Sequence, residues 1–339
     1  MTYPHSTNLA GERKFTEKSH AQTLGFGFTT LVRKLLSLFA ILALTLSSSI
    51  SAKADSSPLL DSRVPSNPIP ALSAVIADRP TPYQDRCHVQ QNLNATDAEC
   101  IYGNTSGDTS IVLFGDSHAL SWFTPIEKLA SIKGWKFYSY TMSSCWPADI
   151  VPYNSTKYEV MENCEHWRTD TVNAIKQIKP YMVLVTGTRG FTTLDENGIV
   201  PIGSERTSIW ADGMTRTLQA LHSATKNLVY IADVPSARDD VVSCLKAHPE
   251  SIKACSLTRA VAISPSWLNK ENQVATDNGA IFVDPSDWIC STDPCSPLQG
   301  RYVKYVNAGH LTATYMRLLE APLWRAINTK LVNSPSTKN

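Results

Sequence analysis

The chain has no basic excess, no glycine-rich phosphate loop and no Cys-x2-Cys pair, and each absence removes a class of function. Lys and Arg number 31 against 30 Asp and Glu, a formal charge of +1. Nucleic acid selects for clustered basic residues, so no nucleic acid partner is implied. The Gly115-Asp116-Ser117 turn lacks the glycine spacing and the following Lys of a phosphate cradle. Without Cys-x2-Cys spacing a zinc ribbon is not implied, and no His/Asp/Glu cluster points to another metal. No metal and no cofactor are expected. Charged residues are only 18%, while 42% are apolar, which excludes disorder as the main state. The length, 339 residues, suits one large domain with appendages.

Residues 1–54 hold six basic and two acidic residues, leaving 25 basic against 28 acidic beyond them. Arg33 and Lys34 precede an uncharged run at 35–46, followed by a small polar stretch ending Ala52-Lys53-Ala54. That is the layout of a secretory signal peptide cleaved near Ala54. The run is shorter than the roughly 20 residues a membrane-spanning helix needs. Its extension into the Ser/Ile tail leaves an uncleaved anchor open. No second membrane segment follows, so membrane contact is expected only through this N-terminal segment. The eight cysteines all lie after the leader. Their spacing suggests four local disulfides, Cys87–Cys100, Cys145–Cys164, Cys244–Cys255 and Cys290–Cys295, formed in an oxidising compartment. Reduced core thiols are the alternative.

Residues 55–83, rich in Pro and Ser, read as an extended linker, and 84–107 as a small looped cap. The domain proper runs over 84–330, with a tail at 331–339. Apolar β-type runs fall at 110–114, 136–140, 181–185, 228–232 and 280–283. Helical stretches are predicted at 120–133, 167–179, 212–224, 257–276 and 312–327. Continuous apolar strands alternating with helices predict a doubly wound, three-layer α/β/α sandwich on a five-stranded parallel sheet, flavodoxin-like in plan. Chemistry in such folds sits beyond the C-terminal ends of the strands.

Ser117 stands at such a place, where Phe114-Gly115-Asp116-Ser117-His118 passes from the first strand into a helix. Free backbone N–H groups at a helix start suit a nucleophile whose intermediate carries an oxyanion. The competing reading is that Asp116 or Ser117 merely caps the helix. A serine nucleophile needs a base. His118 adjoins it in sequence and is a poor candidate, since neighbouring side chains seldom face each other. His310, in Asn307-Ala308-Gly309-His310 just before the last helix, falls on the same rim and is the candidate base.

At these residues the chain resembles the SGNH hydrolase superfamily. More closely, it is similar to the extracytoplasmic SGNH domain attached to acyltransferase-3 membrane proteins, which O-acylate bacterial cell-surface glycans. Gly-Asp-Ser-His at 115–118, Ser-Cys-Trp-Pro at 144–147, the 231–235 strand end with Cys244 and Cys255, and Cys290 to Cys295 leading into His310 match in order. The resemblance covers about 84–328. It implies a GDSL-like serine esterase or O-acyltransferase, with Ser117 as nucleophile and His310 as base. The substrate implied is an acylated, in particular O-acetylated, glycan or glycolipid of the bacterial cell envelope. A separate membrane acyltransferase is a further partner. The family's Asp three residues before the His is Asn307 here. Three outcomes stay open: a Ser–His dyad oriented by Asn307, a stand-in carboxylate at Asp284 or Asp287, or a weak or inactive domain that binds surface glycan. The oxyanion candidates are Ser117, Gly187 and Thr188. Arg189 and Trp146, in loops at the same rim, are the candidates for substrate contact.

Overall fold

The computed structural model describes residues 63–93 and 100–333; the leader at 1–54 lies outside the described residues. In chain order the strands are β1 (His88–Val89), β2 (Ile101–Gly103), β3 (Ser110–Gly115), β4 (Lys136–Met142), β5 (Val151–Asn154), β6 (Glu159–Val160), β7 (Met182–Thr186), β8 (Thr193–Leu194), β9 (Asn227–Ile231), β10 (Ile281–Val283), β11 (Leu298–Gln299) and β12 (Tyr302–Val303). The helices are α1 (Ser117–Ser121), α2 (Phe123–Lys133), α3 (Glu162–Ile178), α4 (Gly203–His222), α5 (Val241–Ala247), α6 (Arg259–Ile263), α7 (Pro265–Asp277), α8 (Ser286–Ile289), α9 (Ala313–Met316) and α10 (Glu320–Asn333).

The central sheet has the order β1-β4-β3-β7-β9-β10, and its β4, β3, β7, β9 and β10 are mutually parallel. The five apolar runs of the sequence are these five strands. Alternate residues serve opposite faces, as the two-residue period of a strand requires. Ile111, Leu113, Leu184, Val229 and Ile231 pack with Phe123, Ile126, Leu323 and Ile327, from α2 and α10. Val112, Phe114, Val183, Val185 and Tyr230 pack with Trp167, Met214, Leu218 and Val274, from α3, α4 and α7. The result is the three-layer α/β/α sandwich. Because both faces are covered, β3, β7, β9 and β10 are almost wholly apolar, while β4 buries Ser139 and Thr141 among its residues.

Three expectations need correction. The sheet has seven strands rather than five: β1 pairs parallel and β2 antiparallel with the outer side of β4. Two- and three-residue edge strands are too short to leave a period in the sequence. The helix predicted over 257–276 is two helices. Ser264 adopts φ 52° and Pro265 opens α7, lacking the N–H that would continue the first helix. The Pro/Ser-rich stretch is not an extended linker from residue 63 onward. Val75 is wholly buried in the core cluster that also holds Leu323 and Ile327 of α10, and Ile69 bridges Tyr302. Asp78 accepts the backbone N–H groups of Ala313 and Thr314 at the start of α9. All four disulfides form with the pairing the spacing suggests.

Candidate active site

The site begins with a glycine. Gly115 ends β3 where β7 runs alongside, and a Cβ there would overlap the Thr186 carbonyl oxygen. Asp116 then caps α1: its carboxylate accepts the backbone N–H groups of His118 (2.8 Å) and Ala119 (3.4 Å). Its second oxygen accepts the N–H of Thr188, 2.8 Å away across the rim. Asp116 is fully buried, and that burial pushes its pKa up. It holds the turn, and Ser117 is left at the first position of the helix.

His310 arrives from the other side on a tight loop. Tyr305 and Leu311 bridge, and Val306 N–H donates to the His310 carbonyl at 2.8 Å. Ala237 N–H donates to the Ala308 carbonyl at 2.7 Å, and the Tyr305 hydroxyl to the Pro235 carbonyl at 2.9 Å, so the loop is pinned to the segment following β9. His310 Nε2 thereby lies 2.9 Å from Ser117 Oγ, and His310 Nδ1 lies 2.8 Å from Asn307 Oδ1. These residues are 193 and three positions apart in the chain.

Asn307 Oδ1 also faces the backbone N–H groups of His310 (3.1 Å) and Gly309 (3.3 Å). Backbone N–H groups only donate, so the atom they meet is the amide oxygen and the side chain cannot be flipped. An oxygen at that place accepts a hydrogen bond from the Nδ1–H of His310, which leaves the Nε2 lone pair for the Ser117 hydroxyl. The tautomer is therefore the one a general base requires. Asn307 supplies orientation without charge.

Burial first, then the charge of His118, lowers the His310 pKa to about 3. The two imidazoles meet edge to face, with centroids 5.1 Å apart. His118 Nδ1 is 2.6 Å from Asp233 Oδ1. Burial would lower the His118 pKa, but the Asp233 carboxylate outweighs it and the group is pushed up to about 9. Burial likewise opposes ionisation of Asp233, yet His118 and Arg189 hold its carboxyl below the usual range.

Several sequence-predicted roles do not survive this geometry. The Thr188 N–H is occupied by Asp116, which removes it from the oxyanion candidates and leaves Ser117 and Gly187. Arg189 is not free for substrate. It donates to the Glu271 carboxylate and to the carbonyls of Ile263 and Asp233, while its own N–H reaches Asp233 Oδ2. Trp146 is 6% exposed and its ring meets Phe191 in the core, so it presents no sugar platform. Asp284 turns onto Ser286 N–H and Asp287 pairs with Arg259, so neither stands in for a triad carboxylate.

Sequence reasoning missed Asp233, the His118 contact to it and Arg79. The signal for Asp233 was its place at the end of a strand on the reactive rim. Arg79 lies over the Tyr83 ring at 5.3 Å, and its charge is one of the causes depressing His310.

A family model for the SGNH domain (fused to AT3 domains) matches residues 86–325. Among curated proteins no relative matches the sequence. The fold is similar to that of the periplasmic domain of a lipopolysaccharide acetyltransferase from Salmonella ser. Paratyphi A. The identity is 19%, over 68% of this chain and 86% of that one, with a TM-score of 0.51. A looser likeness, TM-score 0.36 at 11% identity, links it to Axe2, an acetylxylan esterase from Geobacillus stearothermophilus, over 66% of this chain and 96% of that one. With well over half of its length matched, and a Gly-Asp-Ser-His turn set against a histidine loop at the sheet's C-terminal rim, the chain belongs to the SGNH-domain family of the type fused to AT3 domains.

Proposed function

We propose that the protein is an extracytoplasmic serine esterase or O-acyltransferase that works on acyl esters, in particular acetyl esters, of cell-envelope glycans or glycolipids through an acyl-Ser117 intermediate. The observation that carries this reading is the 2.9 Å contact between Ser117 Oγ and His310 Nε2, with Asn307 fixing the imidazole tautomer. Ser117 Oγ attacks the ester carbonyl while His310 Nε2 takes its proton. The tetrahedral oxyanion lies against the backbone N–H groups of Ser117 and Gly187. Collapse expels the alcohol, which leaves with the proton from His310. Water or a sugar hydroxyl then attacks the acyl-Ser117 ester as His310 takes its proton, and collapse passes the acyl group to that oxygen while Ser117 Oγ leaves and recovers the proton from His310.

The four disulfides, the signal-like leader of the sequence and the family's association with membrane acyltransferases support the extracytoplasmic placement. Acid-quenched reactions with a small acetyl ester, digested and mapped by mass spectrometry, test the intermediate. An acetyl group on the Ser117 peptide, absent when His310 is replaced by Ala, is the expected result. An acetyl adduct on another residue with Ser117 unmodified would refute it.

A further inference from the structure

A cavity of about 390 Å³ opens beside the nucleophile turn, and its wall includes His118, Arg206, Asp233, Thr188, Ser264 and Gly309. Three features of that wall suit an anion. His118 Nδ1 is occupied by Asp233, while Nε2 has no protein partner among the described residues. The Nε2–Cε1 edge of the ring lies so close over Gly309 that a Cβ there would overlap it. Arg206 holds its guanidinium 4.8 Å from the Phe191 ring and 5.5 Å from that of Trp267. One N–H donates to the Phe191 carbonyl at 3.1 Å, and no carboxylate pairs with Arg206 among the described residues. Asp233 is the one carboxylate on the wall. Its oxygens already accept from His118, from Arg189 N–H and from Val234 N–H. Arg189, also on the wall, is neutralised from behind by Glu271.

The cavity therefore presents cations without a free acidic partner. It also adjoins the loop that carries His310. Ala308 and Gly309, the two residues before His310, belong to the wall. The alcohol must be near His310 Nε2 to exchange its proton there, and an alcohol portion reaching past Ala308 and Gly309 would enter this cavity.

We propose that this cavity is the alcohol-side subsite and that it selects a sugar bearing an anionic group, a carboxylate or a phosphate, through His118 Nε2 and the Arg206 guanidinium. Thr188, Ser236 and Ser264 offer hydroxyls to the sugar on the same wall. The Asp233 carboxylate outweighs burial and keeps His118 charged at neutral pH, which strengthens the recognition. The inference rests on the reading of Ser117 as the acylated nucleophile.

Calorimetric titration of the full chain carrying Ser117→Ala separates the two. The probes are glucuronate, glucose and inorganic phosphate. Glucuronate is expected to bind at least about tenfold more tightly than glucose, the value of one charge-assisted hydrogen bond. Arg206→Gln is expected to remove that margin, whereas Arg206→Lys, which keeps the charge, retains part of it. Phosphate binding that matches glucuronate supports the anion site and assigns it to phosphorylated glycans; weaker phosphate assigns it to uronic acids. Equal binding of glucose and glucuronate, or an undiminished preference in Arg206→Gln, overturns the subsite. Turnover of a small neutral ester by the unmutated chain is measured alongside. Turnover with no anion preference removes the subsite alone, and anion preference without turnover removes the catalytic reading alone.

Discussion

Asn307 Oδ1 lies 2.8 Å from His310 Nδ1, where a charged triad would place a carboxylate. The two backbone N–H groups on the same oxygen keep the amide from turning its NH2 toward the ring. In a serine protease an Asp-to-Asn change costs about 10⁴ in kcat, through the wrong tautomer. Here the tautomer is right and only the charge is missing, so Asn307→Asp is expected to raise kcat by about ten- to a hundredfold. Asn307→Leu, which removes the orienting oxygen, is expected to lower it by a similar factor. Steady-state hydrolysis of an acetyl ester by the three proteins checks both. A rise beyond about 10⁴ in Asn307→Asp would mean that the natural site is essentially idle.

The second expectation concerns pH. A general base works when unprotonated, and His310 is held down to about 3 by burial and by the nearby charge of His118. The acid limb of kcat/KM therefore falls well below neutrality. Replacing His118 by Gln removes a positive neighbour, raises the His310 pKa and moves that limb to higher pH. Arg79→Gln acts in the same direction and by less. Profiles recorded from about pH 3.5 to 9 test the sign; a limb moving downward in His118→Gln would contradict the assignment.

The His118–Asp233 pair also governs stability. The folded pKa of His118 is pushed up to about 9, against about 6.5 for an ordinary imidazole. Its contribution is complete below about pH 6.5 and fades as pH rises through 9. Asp233→Asn leaves a buried cation without its counter-charge and is expected to cost about 3–5 kcal/mol. Urea unfolding at about pH 6 and about pH 9.5 should show a smaller pH dependence in the variant than in the natural protein.

The fourth expectation follows from Val75, which is wholly buried in the core. Val75→Ala is expected to destabilise the fold by about 1–3 kcal/mol, from the lost methyls and the cavity left behind. A chain begun at residue 84 loses Val75, the Asp78 contacts to the start of α9 and Arg79 together. It is expected to be less stable and less active than a chain begun at 63, as thermal melts and ester turnover would show.

Much of this was legible in the sequence because the signals were local. The five apolar runs are the five parallel strands, Ser117 stands at a strand end, and His310 stands just before the last helices. The cysteines pair with close neighbours, so spacing was sufficient. The remainder depends on contacts between distant segments. His118 and Ser117 leave the first turn of α1 in different directions, and so adjacent residues serve separate partners. The Asp233 that meets His118 is 115 positions away. Trp146 was misread because a loop position does not say whether a ring points out or in. The segment from 63 to 83 was misread because its Pro and Ser content hides single anchoring residues such as Val75 and Asp78.

The central claim is that Ser117 is an acylated nucleophile served by His310. Hydrolysis of a small chromogenic acetyl ester by the full chain and by its Ser117→Ala variant tests this most directly. Turnover above background that disappears in Ser117→Ala is the predicted result. Equal rates in the two proteins would contradict the account.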